Sequence, residues 1–369
     1  MERLKGKRSN TMIHVMKKTY EDYTKIFDRR IKWYWIWALI IGLCLLPLSG
    51  NNYFLSLLTN GALFAIVGLS LILLMGFCGQ ISLGHAAFFA VGAYTSCIFV
   101  SKLGFPFLVS MILGGVMASL VGLIVGLPSL RLKDLYLAIA TLALAFIVED
   151  VLVKWQRLTG GTFGMAVPEA SVGRFLFNTE ARYYYLVLVI LILFTIVTKN
   201  IQRSGYGRTL MAIRESEIAA QAMGINIHYY KVAIFGLSAF YTGVAGSLFG
   251  HYTGFILPDT FNFLLSINFL IAILVGGTTS VVGAILGGLY MSLIPGATKV
   301  LIGILPAAFA SINGLDTIFY ALILLVFISY QPEGIHGLWV KMKFYYDHFP
   351  IYKKGTFRKE RKFYRKKIQ

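Results

Sequence analysis

Gln80, Ser82 and His85 bring an amide, a hydroxyl and an imidazole together within six residues. Gly79 and Gly84 frame them, directly after the apolar run 61–77. Inside hydrocarbon such groups must find internal partners, because each unsatisfied one costs several kcal/mol. The pattern predicts a discontinuous helix lining a cavity, with His85 near mid-membrane. Gln80, Ser82 and His85 are its polar groups, and Gly79 and Gly84 permit the bend. A hydrogen-bonded packing histidine is the plainer reading of His85. A second break, Gly276-Gly277-Thr278-Thr279-Ser280, precedes another glycine-rich run, and both runs end in a Gly-x-Tyr pattern, Gly92-Ala93-Tyr94 and Gly288-Leu289-Tyr290. Paired interrupted helices mark transport pathways at repeat interfaces.

Other chemistry is thin. No G-x-x-x-x-G-K-[ST] phosphate loop occurs, and Gly205-Tyr206-Gly207 lacks the third glycine and strand context of a dinucleotide turn. Glu149-Asp150 and Asp316 fall near span edges, and His251 and Asp259 are expected in an outer loop. None has a second acid, base or ligand at helical spacing, so no catalytic or metal set is assigned. Ion-coupled carriers hold titratable groups within the membrane, and here only His85 qualifies. Cys44, Cys78 and Cys97 match no metal or redox spacing and read as small buried hydrophobes.

The elements that position these residues follow from composition. Of 369 residues, 57% are apolar and 14% charged, against about 25% charged in a soluble domain. Mean hydropathy is +0.72. A soluble enzyme, a disordered chain and a disulfide scaffold are excluded. The expected fold is an all-α polytopic transmembrane bundle of about ten segments, some short or broken. They fall near 33–48, 53–75, 81–100, 106–126, 135–153, 183–198, 230–250, 263–278, 281–300 and 314–330.

Of the 34 Lys and Arg, 10 lie in residues 1–32 and 11 in 341–369. Ten spans place 28 of the 34 on the side of the termini and 6 opposite, so both termini are expected to be cytoplasmic. Loop 154–182 then faces outward and segment 199–229 inward. The chain divides into a basic cytoplasmic arm (1–32), a transmembrane domain (33–335) and a basic, aromatic cytoplasmic tail (336–369). The tail suits anionic lipid at the bilayer surface rather than nucleic acid. Small-residue stripes at Gly114/Ala118/Gly122/Gly126, Thr242/Gly246/Gly250 and Gly283/Gly287 suit close packing within the chain or against a second membrane subunit.

Segment 205–226 reads as an amphipathic helix with Leu210, Ile213, Ala220 and Met223 on one face. Ser216 and Glu217 start a second helical turn, and Gly224 is a C-terminal cap. At these residues the sequence resembles the LivM-type permeases of branched-chain amino-acid ABC transporters. Gly79–Tyr94 is similar to their G-Q-x-S-L-G-H-A-A-F-F-x-x-G-A-Y signature, and Gly207–Gly224, His251–Asp259 and Gly276–Gly287 are similar to later blocks. The likeness covers about residues 50–335.

The resemblance implies a multi-pass permease of the bacterial or archaeal cytoplasmic membrane that is not itself an enzyme. It would pair with a second, LivH-like permease, two cytoplasmic ABC ATPases and an extracytoplasmic amino-acid-binding protein. It would bind no cofactor, ATP being used by the partners. Glu217-Ile218-Ala219-Ala220 followed by Gly224 is similar to the E-A-A…G docking loop of importer permeases, without its distal I-x-L-P. Arg208, Arg214, Glu217, Ala219, Ala220 and Gly224 are therefore the expected coupling residues. A permease for urea, short amides or another small amino acid is the alternative. A standalone channel or ion-coupled carrier is the alternative from another class, and a polytopic membrane enzyme finds less support still.

Overall fold

The computed structural model describes residues 46–49, 51–129, 134–172, 175–303 and 334–348, with scattered positions between 318 and 331. The expected spans 33–48 and 314–330, the arm 1–32, Cys44, Arg131, Lys133, Asp316 and the tail beyond 348 lie mostly or wholly outside these residues.

Helix α1 (Asn52–Leu71) continues through a π turn, Ile72–Phe77. α2 (His85–Leu103), α3 (Phe107–Ser129) and α4 (Asp134–Lys154) follow. After an irregular loop come α5 (Glu180–Arg203), the two short helices α6 (Gly205–Glu215) and α7 (Glu217–Ala222), and the long α8 (Ile227–Thr253). α9 (Phe263–Gly276), α10 (Val281–Gly303) and α11 (Gly334–His348) complete the order. The strands are two-residue pieces: β1 (Met165–Ala166) pairs antiparallel with β4 (Phe255–Ile256), and β2 (Ser171–Val172) with β3 (Phe175–Leu176). The all-α class holds. Among the described residues eight helices are long and apolar enough to cross a bilayer, and the chain is a multi-pass membrane protein.

Local chemistry sets the helix starts. Asn51, Ser204, Ser216, Asn226 and Asn262 each accept the backbone N–H three residues on, at 3.2–3.3 Å. Such caps satisfy donors that the first helical turn leaves open. The span expected at 183–198 is longer than its apolar run, because α5 carries polar residues at both ends and reaches 24 residues. The short run there reports flanking chemistry and no break.

α2, α3 and α8 pack together, and α1, α9 and α10 form a second group; α1 also lies along α8 and α5. The small-residue stripes face inward, within the chain. Gly114 meets Ser247, Gly122 meets Ala239, Gly246 meets the Phe89 carbonyl, and Gly287 meets the Ala272 carbonyl. Lipid offers no hydrophobic drive between helices, so backbone approach at small residues is what packs them. Opposite these contacts, α4 and α5 leave Ile139, Phe146, Ile147, Val189 and Leu193 exposed, as lipid-facing positions are.

The position of the first break differs from expectation. α1 with its π turn is 26 residues, about 39 Å at 1.5 Å per residue, enough to cross the whole hydrocarbon core. Gly79–Gly84 therefore follows a completed crossing, and His85 opens the next one. Both breaks lie at the end of the bundle that carries α6 and α7. The apolar helix before Gly79 is long enough to cross on its own, so the polar residues follow it and do not interrupt it midway.

Candidate functional site

The first break is built around the end of α1. Gly79 (φ +80°) takes the left-handed conformation, which glycine adopts without a Cβ penalty. Its N–H donates to the Met75 carbonyl at 3.2 Å, and the Gln80 N–H to Leu74 at 3.1 Å. These bonds resemble the paired bonds that close many helices, widened by one residue because the π turn precedes them. The chain then enters α2 over hydroxyls from other helices. Leu83 N–H donates to Thr141 Oγ1 of α4 at 2.9 Å, and Ala86 N–H to Ser266 Oγ of α9 at 2.9 Å. Gly84 is required where its α-carbon abuts the Thr141 carbonyl, 2.6 Å from where a Cβ would stand.

His85 is the hub. Its Nδ1 lies 3.2 Å from Ser82 Oγ and its Nε2 3.1 Å from Ser238 Oγ of α8. Ser238 donates its own proton to the Ser70 carbonyl of α1 at 2.9 Å, so it accepts from His85 at Nε2–H. Nδ1 then accepts from Ser82, and the network assigns the ring a neutral tautomer. Ser70 and Thr242 hydroxyls, 2.8 Å apart, extend the line. Ser82 and His85 are thus brought together as expected. They lie in a closed knot among α1, α2 and α8. Gln80 stays outside it: 3% exposed, its side-chain amide has no partner among the described residues. A buried amide left so costs about 1–3 kcal/mol.

The second break meets the first. Gly76, inside the π turn, packs its α-carbon against the Thr278 carbonyl.

The segment 199–229 is two capped helices. Leu210, Ile213 and Ala220 are buried in the chain's own bundle, while Ile218 and Met223 are exposed at 84% and 82%. This corrects the expected single apolar face: Met223 points away from it. The charges bond within the chain while staying exposed. Arg208 donates to the Arg203 carbonyl at 3.2 Å, capping α5. Arg214 Nη1 donates to the Gly76 carbonyl at 2.6 Å. Glu217 Oε1 accepts from Lys231 Nζ of α8 at 2.6 Å. The Lys231 side chain is 9% exposed and that of Glu217 51%, so the lysine depends on the pair for compensation. Burial pushes the nearby Cys78 thiol up to about 12, with Lys231 opposing and Glu217 reinforcing the shift. Ala219 is exposed. Gly224 (φ +79°) has no atom within 4 Å of where a Cβ would stand, so conformation and not space requires glycine there.

Residues expected in two separate sites are therefore one assembly, since Gly79 packs 3.0 Å (Cβ position to Cγ) from Arg214. Thr141, Ser238, Ser266 and Ser70 were not singled out from sequence, and Thr242 only as a small residue in a packing stripe. Hydroxyls in apolar helices are their only signal, and such groups also bond to their own helix. At the opposite end, His251 belongs to α8 and not to a loop. Its Nε2 lies 3.0 Å from Ser96 Oγ and its Nδ1 2.8 Å from the Pro168 carbonyl, tying the loop to the bundle.

The profile of the family described as "Branched-chain amino acid transport system / permease component" matches residues 53–328. Among curated relatives, the high-affinity branched-chain amino acid transport system permease protein LivM of Escherichia coli is 30% identical over 278 residues, covering 69% of this chain and 65% of the relative. A probable LivM of Methanocaldococcus jannaschii is 26% identical over 240 residues, 61% of this chain and 68% of the relative. The permease protein LivH of Salmonella typhimurium is 23% identical over 309 residues, 77% of this chain and 96% of the relative. The match thus spans a little under two thirds of the Escherichia coli LivM. No solved structure matches the chain significantly.

Proposed function

Because the chain belongs to the branched-chain amino acid transport permease family, we propose that it is a membrane-spanning permease subunit of an ATP-binding-cassette importer for leucine, isoleucine and valine. It forms the translocation path with a second, LivH-like permease in the cytoplasmic membrane. Two ATPases bind its cytoplasmic face, and an extracytoplasmic protein delivers the amino acid. Both termini and the α6–α7 insert are cytoplasmic, and the basic tail lies on anionic lipid.

One observation carries the coupling part of this reading. The insert is locked to the bundle by buried Leu210, Ile213 and Ala220, yet leaves Ile218 and Met223 exposed at its tip. Two large apolar side chains on a rigid, capped helix are what a partner's groove uses as anchors, with nearby charges setting orientation. Arg208, Arg214 and Glu217 hold the tip in place, while Ile218, Ala219, Met223 and Gly224 form the contact. Gly79, Gln80, Ser82, Gly84 and His85 form the inner gate of the path, beside the insert.

Co-purification of the ATPases and uptake of labelled leucine by the reconstituted complex test this. Ile218→Asp together with Met223→Asp is expected to release the ATPases while the helices stay inserted; full retention and full uptake would remove the insert from coupling. Uptake of urea or amides in place of leucine would reassign the substrate.

A further inference from the structure

Glycine-closed helix ends bond the N–H of the left-handed residue to a carbonyl either three or four residues back. Gly79 donates four back, to Met75, and not to Gly76. Arg214 Nη1 takes the Gly76 carbonyl at 2.6 Å. The guanidinium thereby does two things at the C-terminal end of a 26-residue span. It supplies a donor where the last turn leaves carbonyls open, and it sets a positive charge at the negative end of the helix dipole. Its stem runs beneath Gly79, where a Cβ would stand 3.0 Å from Cγ and press on it.

Gly76 is also where the two breaks touch, its α-carbon lying against the Thr278 carbonyl. One peptide unit is therefore gripped on one side by the insert and on the other by the second break. The remainder of α6 meets the bundle through buried Leu210 and Ile213 and through Tyr206, whose ring lies 5.0 Å from that of Tyr230 on α8; these are packing contacts without the direction of a hydrogen bond. The Arg214 bond is directional, and it is charge-assisted, the stronger class of hydrogen bond.

We infer that Arg214 is the latch through which movement of the insert reaches both helix breaks, a positioning residue that transmits displacement and does not itself dock the ATPase. This rests on the reading of the insert as the ATPase-coupling segment. A shift of α6 along its own axis moves the Gly76 carbonyl, and Gly76 moves Thr278, so the ends of α1 and α9 respond together.

The test uses the full complex in proteoliposomes, with ATP hydrolysis and leucine uptake measured in parallel and expressed as ATP consumed per leucine moved. Arg214→Gln is expected to keep the ATPases bound and hydrolysis near the unsubstituted level. Uptake falls about tenfold or more, as loss of a charge-assisted hydrogen bond would give, and the ratio rises by the same factor. Arg214→Lys, which keeps a cationic donor but not the planar fork, raises the ratio only about threefold. A ratio in Arg214→Gln equal to that of the unsubstituted complex overturns the latch. Loss of the ATPases from that variant overturns it too, because Arg214 would then be a docking residue. If the glutamine variant does not insert, the lysine variant decides: a ratio raised about threefold supports the latch, and an unchanged one overturns it. An unsubstituted complex without ATP-driven uptake would remove the importer reading itself, an outcome independent of Arg214.

Discussion

The break at 78–84 is filled by side chains, whereas the break at 277–280 is closed almost entirely by backbone. In the first, His85, Ser82, Thr141, Ser238, Ser266 and Arg214 supply hydrogen bonds from five different helices. In the second, Gly276 lies against the Gly283 carbonyl, and Gly277 lies against Gly334 of α11, 2.6 Å from the Gly334 Cβ position to the Gly277 nitrogen. Ser280 is its one hydroxyl cap, accepting from Gly283 N–H at 3.4 Å. Hydrogen-bonded side chains rearrange one bond at a time, while backbone pressed on backbone has no smaller arrangement to adopt. On the reading of the insert as the coupling segment, the first break rearranges bond by bond, and the second follows it as one packed unit.

The comparison breaks most sharply at Gly276. Gly276→Val sets a Cβ against the Gly283 carbonyl oxygen with two further methyls to place, and overpacking of that kind costs about 3 kcal/mol. The expected result is loss of monodisperse protein in detergent and a clear fall in melting temperature. A well-behaved Gly276→Val chain would show that the second break yields as the first does.

His85→Ala is expected to be milder, about 2 kcal/mol, because it leaves the Ser82 and Ser238 hydroxyls without the ring. His251→Ala, at the loop-capped end, should lower the melting temperature less, since solvent reaches the freed loop carbonyl more easily. Equal effects would mean that the His85 knot holds no more than the loop tie. Gln80→Leu sharpens the contrast from the other side. Replacing an amide that has no partner is expected to stabilise the chain by about 1 kcal/mol. A destabilised variant would place a partner for Gln80 in the assembled complex.

The smallest effect concerns α11, which touches the second break. Burial, and then Lys199, hold the His336 pKa below its ordinary 6.5. The docked helix favours the neutral ring, so docking is strongest above about pH 6.5 and weakens as pH falls through that value. Faster proteolysis at Lys341 near pH 5.5 than at pH 7.5, abolished by His336→Gln, is the expected observation.

Several features were legible in the residues alone. The apolar runs place the eight spans found among the described residues, and only their ends moved, as with α5, whose polar termini hide eight helical residues. The unusual density of polar residues at Gly79–His85 marked the break, and Ser216 and Gly224 marked the turn of the insert. Other features had no local signature. Glu217 and Arg214 read as charges offered to a partner, because nothing in the sequence says that Lys231 or the Gly76 carbonyl is within reach. Met223 fits the helical periodicity of Leu210 and Ile213 only if the helix is continuous, and the Ser216 cap divides it. His251, two residues after Phe249, looked like the start of a loop although α8 carries on to Thr253.

Hydropathy, charge asymmetry and capping residues are properties of short stretches, and they were enough for a multi-pass helical membrane protein with a structured insert between two spans; the permease reading came from the motif resemblance. The meeting of Gly76 with Thr278, the bond from Arg214 to a carbonyl 138 residues away and the closed knot around His85 depend on which helices become neighbours. In lipid that choice is made by shape, where glycine lets one backbone reach another, and by the search of each buried polar group for a partner. Both are satisfied only when the helices are assembled, which is why the two expected sites became one.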